Sequence, residues 1–403
     1  MKNLSTLYCY EMKKLLKRKL SWAAVLALAV ICVFSIVRGR NAGAGVTVPV
    51  MDENGNETGE RHYISGEEIR DTYLKTAGTL DGRVMDDAFF QEMLENLPNL
   101  DGFDLSVYFW TEDATWCNVY NMVTKLCGEP GSLTAEKFYA HQQEQTRLRY
   151  EQYGRDGLSQ GEMAYWAQQA EKIQKPFVYQ DYWRGTTYLT DFFYVLLGLL
   201  PVAAAVCVST VFSEDRRNRV DALVFTTRKC RVPLYLAKIL AGATTAVLAG
   251  AFIVGAVVTA YLAVWGVKGL DAPFQMYDIA NPRPVTILQM FLPMLVLLVL
   301  YTLLYGGVTM LVATITRSSI VSLAVPVLLV QVLNRWHQRP YGWASYLPEN
   351  LMGGNGPNNM ELVKVIGVYL DNFQFGLLLY LAITMLLLAL CWLGWRWNAE
   401  GRI

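Results

Sequence analysis

Histidine is almost missing from this 403-residue chain: His62, His141 and His337 are the only three. They are too few and too scattered for a metal site or a nucleophile–histidine triad, and they read as surface residues. No P-loop, dinucleotide glycine fingerprint or spaced Cys/His set occurs either. The chain is therefore not expected to be an enzyme, to hydrolyse ATP by itself or to hold a catalytic, cofactor or metal site. Charge is also scarce, at 17% of residues against about 25% in a typical soluble protein. The long apolar runs hold no Asp, Glu, Lys or Arg in their interiors; Asp191, Lys238 and Arg317 sit at their edges. Ion-coupled carriers need such groups inside the bilayer as relays and counter-ions. A transporter of this composition must draw its energy from elsewhere.

What the chain has in plenty is apolar sequence. Six runs approach or exceed the length that crosses about 30 Å of hydrocarbon at 1.5 Å per helical residue: 20–37, 189–212, 239–265, 286–315, 318–334 and 373–395. The fifth is short and interrupted by Pro326, so a kinked or partly re-entrant span is also open. The runs are continuous rather than alternating, which excludes barrel strands. The expected fold is an all-α polytopic membrane protein with six transmembrane helices. A large, mainly helical extracytoplasmic domain, 38–188, lies between spans one and two. The first run follows a basic stretch like a signal peptide, with Ala42–Ala44 resembling a cleavage site, but its length favours a retained anchor.

The formal net charge of zero hides a partition. Residues 38–188 hold 14 Lys/Arg and 24 Asp/Glu, whereas the rest holds 21 and 11. With the N-terminus inside, the inner segments 1–19, 213–238, 316–317 and 396–403 carry 16 Lys/Arg. The two short outer loops, 266–285 and 335–372, carry only Lys268, Arg283, Arg335, Arg339 and Lys364. The positive-inside rule then places both termini in the cytoplasm and 38–188 outside a cell membrane. Residues 1–19 read as an amphipathic helix lying along the inner surface, with Leu4, Leu7, Tyr8, Leu15 and Leu16 at near-helical spacing. A plain stop-transfer cluster of Lys13, Lys14, Lys17, Arg18 and Lys19 is the bland alternative.

In the outer domain, Ser65–Glu68 and Ser159–Glu162 are capping-box patterns, and Ser132 or Thr134 ahead of Glu136 is a looser one. They predict helices over 66–78, 133–152 and 160–175, with a further helix over 84–97. Asn54-Gly55 between loosely alternating flanks suggests a hairpin. Cys117 and Cys127 lie on the side predicted to be oxidising and form a possible disulfide, with two isolated thiols as the alternative.

The segment 213–238 carries the most information. Arg216, Arg217, Arg219, Arg228, Lys229 and Arg231 surround Val220, Leu223, Val224 and Phe225, between two runs that belong in a bilayer. So charged a stretch cannot enter the membrane and lies at its inner surface. A stop-transfer loop needs neither this length nor a central apolar face.

The short N-terminal amphipathic helix, six spans, internal termini and this cytoplasmic segment together resemble the type-2 export permeases of ATP-binding-cassette transporters. The local match runs through Phe212, Glu214, Leu223 with Thr226-Thr227, Cys230-Arg231 and Lys238; Asn218 and Arg228 depart from the commoner Gly and Pro. The resemblance implies a separate ATPase subunit that binds ATP and Mg, a second permease subunit in a homo- or heterodimer, and contact with membrane lipids; no nucleic acid is implied. It implies that 213–238 is the coupling segment, with Glu214, Arg216, Arg217, Leu223, Val224, Phe225, Arg231 and Lys238 engaging the ATPase. Residues 335–372, an outer loop with short helices, contain the apolar stretch 361–370, similar to the outer half-helices before the last span of this family or to a plain surface helix. A membrane-anchored sensor or scaffold, with its outer domain binding a peptide or envelope component, is the alternative function.

Overall fold

A computed structural model describes residues 2–38, 46–51, 57–96, 115–128, 133–153, 157–212, 231–316, 318–333, 342–353 and 356–399. The chain is a predominantly helical polytopic membrane protein. Among the described residues, five helices are long and apolar enough to cross a bilayer: α2 (Lys19–Val37), α8 (Gly185–Val208), α9 (Arg231–Trp265), α10 (Ile287–Thr316) and α13 (Asn372–Ala399). The remaining apolar run forms α11 (Ser319–Leu333), whose 15 residues reach only about 22 Å. Amphipathic α1 (Lys2–Leu16) precedes the bundle.

The bundle is built around α8, the most buried of the five, with α9, α10, α11 and α2 packed on it. Small residues permit the closest approaches. A Cβ on Gly250 of α9 would sit 2.6 Å from Thr302 Oγ1 of α10, and one on Gly306 would sit 2.8 Å from the Ala246 methyl. The small residues of these runs thus bring backbones together, as apolar packing without a hydrophobic driving force demands. Tyr301 donates to the Leu197 carbonyl at 3.1 Å, tying α10 to α8. The peripheral helices keep apolar faces outward: Val30, Ile31 and Phe34 on α2, and Leu378, Met385 and Leu386 on α13 are exposed, as surfaces for lipid should be.

Between α2 and α8 lies a polar domain. It opens with strands β1 (Val46–Met51) and β2 (Glu57–Ile64), antiparallel with Val46 opposite Ile64 and Met51 opposite Glu57; the expected Asn54-Gly55 turn lies outside the described residues. Five helices follow among the described residues: α3 (Gly66–Thr76), α4 (Asp87–Glu95), α5 (Cys117–Cys127), α6 (Ala135–Glu151) and α7 (Gln160–Ala170). Reciprocal capping boxes start α3 at Ser65/Glu68 and α7 at Ser159/Glu162; Thr134 caps α6. Asp86 caps α4 by accepting from Phe89 N. The core is aromatic, with Phe89, Phe90, Trp116, Phe138 and Tyr179 buried together.

This domain is fastened to the other connections at the same end of the bundle. Arg149 grips Asp278 with two bonds of 2.6 and 2.8 Å. Trp166 Nε1 donates to the Met360 carbonyl at 2.8 Å, and Tyr153 to Asn359 Oδ1 at 2.7 Å. Below it, Tyr188 stacks on Trp265 at 5.0 Å.

Two expectations are corrected here. Cys117 and Cys127 are free thiols at opposite ends of one helix, about 15 Å apart along its axis, whereas a disulfide needs Cα atoms within about 7 Å. The stretch 361–370 is a hairpin, not a half-helix. Strands β3 (Val363–Val365) and β4 (Val368–Leu370) pair antiparallel across Ile366 (φ 50°) and Gly367 (φ 86°). Its β-branched alternation with a turn glycine outweighs a helical reading. The short helical pieces of the 335–372 loop lie earlier, at Gly342–Tyr346, α12 (Pro348–Met352) and Gly356–Asn358. Helix α9 also begins at Arg231, eight residues before its apolar run.

Candidate functional site

At the end of the bundle opposite the polar domain, α1 lies along the start of α9. Three positions of α1 at helical spacing make the contact. Tyr8 donates to Thr244 Oγ1 at 3.1 Å, Met12 Sδ accepts from Thr245 Oγ1, and Leu15 is buried. Between them sits Glu11, the only acidic residue in the first 51. It is buried, and its Oε1 lies 3.3 Å from Nζ of Lys238, which is equally buried. Lys14 approaches the other carboxylate oxygen at 3.8 Å. Lys238 also donates to the Val211 carbonyl at 3.2 Å, just past the C-terminus of α8. One ammonium thereby joins α1, the end of α8 and α9. Neither charge would persist in so dry a place without the other, because an unpaired buried ion is far more costly than a matched pair.

An aromatic cluster adjoins this pair. Tyr235, one helical turn before Lys238, is packed against Phe212 at 5.7 Å, Trp392 at 5.0 Å and Trp395 at 5.1 Å. Trp392 and Trp395 stack at 5.6 Å on the last turns of α13. The Tyr235 hydroxyl is buried without a hydrogen-bond partner. Phe212 and Val211 immediately precede residue 213, while Tyr235 and Lys238 follow residue 230. The two flanks of the basic segment are thus cross-tied to each other, to α1 and to α13.

Of the residues expected to engage an ATPase, Glu214, Arg216, Arg217, Leu223, Val224 and Phe225 lie outside the described residues. Arg231 opens α9. Lys238 is buried in the bundle base, held by Glu11 and the Val211 carbonyl. Reading along the sequence singles out Lys238 and Phe212 but misses Glu11, Tyr235 and the two tryptophans as their partners. The signal was present in Glu11, a lone acid in a basic amphipathic helix.

Two further polar centres lie at the other end. Asp181 accepts from Asn118 Nδ2, from Gly78 N at 3.1 Å and from Tyr179 Oη at 3.4 Å, and burial raises its carboxyl above the ordinary value. Arg283, 4% exposed, donates to Asp371 Oδ2 at 3.1 Å, to Asn372 Oδ1 at 3.0 Å and to the Asn359 carbonyl. Its guanidinium stands 4.8 Å from the Trp166 ring and 5.6 Å from that of Phe373. Burial lowers its pKa, opposed by the Asp371 charge. Among the described residues no three His, Cys, Asp or Glu side chains converge as metal ligands. No family model, curated protein or solved structure matches this chain.

Proposed function

We propose that this chain is the membrane-spanning permease subunit of an ATP-binding-cassette exporter, moving a substrate outward with energy from ATP hydrolysed on a separate ATPase chain. In this reading α11 is the fifth of six spans, α1 lies in the cytoplasmic leaflet and the polar domain is extracytoplasmic. The basic segment 213–230 docks on the ATPase, with Phe225 as its apolar anchor and arginines fixing the register.

The observation that carries the proposal is the cross-tie at the flanks of that segment. A loop with no mechanical task needs no buried ion pair and no four-ring aromatic cluster at its base. Here the Lys238 ammonium and the Tyr235 ring bind both flanks to α1 and α13. A push on the segment would move α8, α9 and α13 as one, and Pro201 within α8 supplies a weak point at which that motion can bend the helix. The dry, uncharged interiors of the spans agree with energy delivered from outside the bundle.

Phe225→Asp tests the assignment. A carboxylate left unpaired in a desolvated pocket costs about 3–5 kcal/mol, enough to weaken a complex more than a hundredfold. Arg216→Ala, at an exposed edge, costs about 0–1 kcal/mol. The measurement is co-purification of an ATPase and permease-stimulated ATP hydrolysis. If Phe225→Asp inserts normally and retains both, the segment is not the coupling element, and the sensor or scaffold reading takes its place.

A further inference from the structure

A cavity of about 380 Å³ opens at the domain-bearing end of the bundle, between the starts of α10 and α13 and beneath α7. Its two halves differ in chemistry. The lower wall is apolar, formed by Pro293, Phe373 and Leu377, and the neighbouring Leu288, Leu292 and Leu378 are exposed, 50%, 57% and 55%, on the outward faces of the same helices. Such a flank belongs against hydrocarbon. The upper wall is polar and holds Arg283 and the carboxamides of Gln169, Gln289 and Gln374.

The polar half has donors to spare and its nearest acceptors already engaged. Gln289 Oε1 accepts from Thr286 N, and Gln374 Oε1 accepts from Asp371 N, each closing a capping box at the first turn of its helix. Gln169 Oε1 accepts from Lys172 Nζ. With those oxygens engaged, the N–H groups of all three amides remain as the donors these side chains can offer. Asp371 is occupied on both oxygens, by Arg283 Nη1 and by Gln374 N. Arg283 spends its Nη atoms on Asp371, Asn372 and Asn359, but its Nε is buried with no partner. A buried guanidinium N–H without an acceptor is an unusual and costly group. Two helix N-termini also converge here, which favours negative charge.

We propose that this cleft binds an anionic membrane lipid, its phosphate lying at the glutamine amides beside the Arg283 guanidinium and one acyl chain lying along Pro293, Phe373 and Leu377. A ligand that only accepts hydrogen bonds satisfies the spare donors, and an amphiphile matches the change from polar to apolar wall. The site does not depend on the chain being an exporter.

The test uses the purified full-length chain in neutral detergent, with lipid binding read by native mass spectrometry and by thermal shift. Phosphatidylglycerol should bind the parent and phosphatidylcholine should bind it more weakly. Gln289→Glu with Gln374→Glu keeps an oxygen for each capping box and adds two carboxylates at the mouth. It should weaken phosphatidylglycerol about tenfold or more and leave phosphatidylcholine unchanged. Leu377→Trp, which fills the apolar half, should weaken phosphatidylglycerol by a similar factor. The proposal is overturned if the parent binds both lipids equally, or if neither variant changes phosphatidylglycerol binding. It is also overturned, in favour of a soluble-anion site, if inorganic phosphate binds as tightly as phosphatidylglycerol and Leu377→Trp has no effect.

Discussion

Glu11 and Lys238 meet as a buried ion pair, 3.3 Å between Oε1 and Nζ, with each side chain almost wholly withdrawn from solvent. It is a charged bond between α1 and the bundle. Removing one partner strands the other charge in a dry site, which costs about 3–5 kcal/mol, whereas replacing both with neutral groups of similar shape costs far less. Lys238→Met and Glu11→Gln should each lower the melting temperature of the detergent-solubilised chain by several degrees. The double variant should recover most of the loss. Additive losses in the double variant would show that the two side chains do not depend on each other.

The Arg149–Asp278 pair fastens the polar domain to the loop between α9 and α10, with both side chains partly buried. Its paired geometry gives it more strength than an exposed ion pair, on the order of 1–3 kcal/mol when broken. Arg149→Ala should speed limited proteolysis within 266–286 without unfolding the aromatic core of the domain. Exchanging the charges, Arg149→Asp with Asp278→Arg, should restore part of the protection. Unchanged cleavage in Arg149→Ala would mean that the Trp166 and Tyr153 bonds hold the domain unaided.

Much of this architecture is local and was therefore legible in the sequence. The capping boxes at Ser65/Glu68 and Ser159/Glu162 are four-residue patterns and appear as read, and the strands expected on either side of Asn54-Gly55 pair, while that turn lies outside the described residues. Hydropathy located every long apolar helix, yet α9 starts eight residues earlier than its apolar run. Hydropathy marks where a helix enters hydrocarbon, not where its backbone begins to coil. The misread features have other physical causes. Cys117 and Cys127 looked pairable because only their side of the membrane was considered, not the helix that separates them. Residues 361–370 were read by composition, although Val363, Val365 and Val368 with Gly367 form a hairpin. The Glu11–Lys238 pair and the Arg283 centre join residues far apart in the chain, and no local pattern announces such partners.

The thiols offer a check on the corrected reading. Cys117 is fully buried, and burial pushes its pKa far up, so it should stay unreactive. Cys127 is partly exposed, with its pKa also raised by burial. Maleimide should modify Cys127 slowly and Cys117 only after unfolding, and a reductant should leave the melting temperature unchanged. An intact mass consistent with a Cys117–Cys127 disulfide, lost on reduction, would overturn the separation that α5 imposes.

Asp181 should give the chain a distinct pH response. Burial raises its carboxyl, and the bonds from Asn118, Gly78 and Tyr179 only partly oppose this. The folded chain therefore holds this proton more tightly than the unfolded chain. The stability linked to Asp181 rises as pH falls through the raised folded value towards the ordinary carboxylate value. Asp181→Asn removes the titration and sets an amide N–H against the donors around it, at a cost of about 1–3 kcal/mol. The gap in melting temperature between parent and Asp181→Asn should widen as pH is lowered towards the ordinary carboxylate value. A constant gap would show that Asp181 titrates alike in both states.

The course of α11 decides how many times the chain crosses the membrane. Its described 15 residues fall short of the roughly 30 Å of hydrocarbon by about 8 Å, and Pro326 lies within it. A short helix can still span where the bilayer thins or flanking residues reach the interface. Its exposed Ile320, Leu328 and Val332 favour lipid along its length. In the six-span reading, single cysteines introduced at residues 217 and 317 should resist an impermeant maleimide in intact cells, while those at 343 and in the polar domain should react. Protection of residue 343 as well as 317 would mean that α11 enters and returns, and would break the attachment of this loop to the polar domain through Trp166 and Tyr153. Labelling of residue 217 from outside would invert the topology altogether and remove the basic segment from the cytoplasm, and with it the proposed contact with an ATPase.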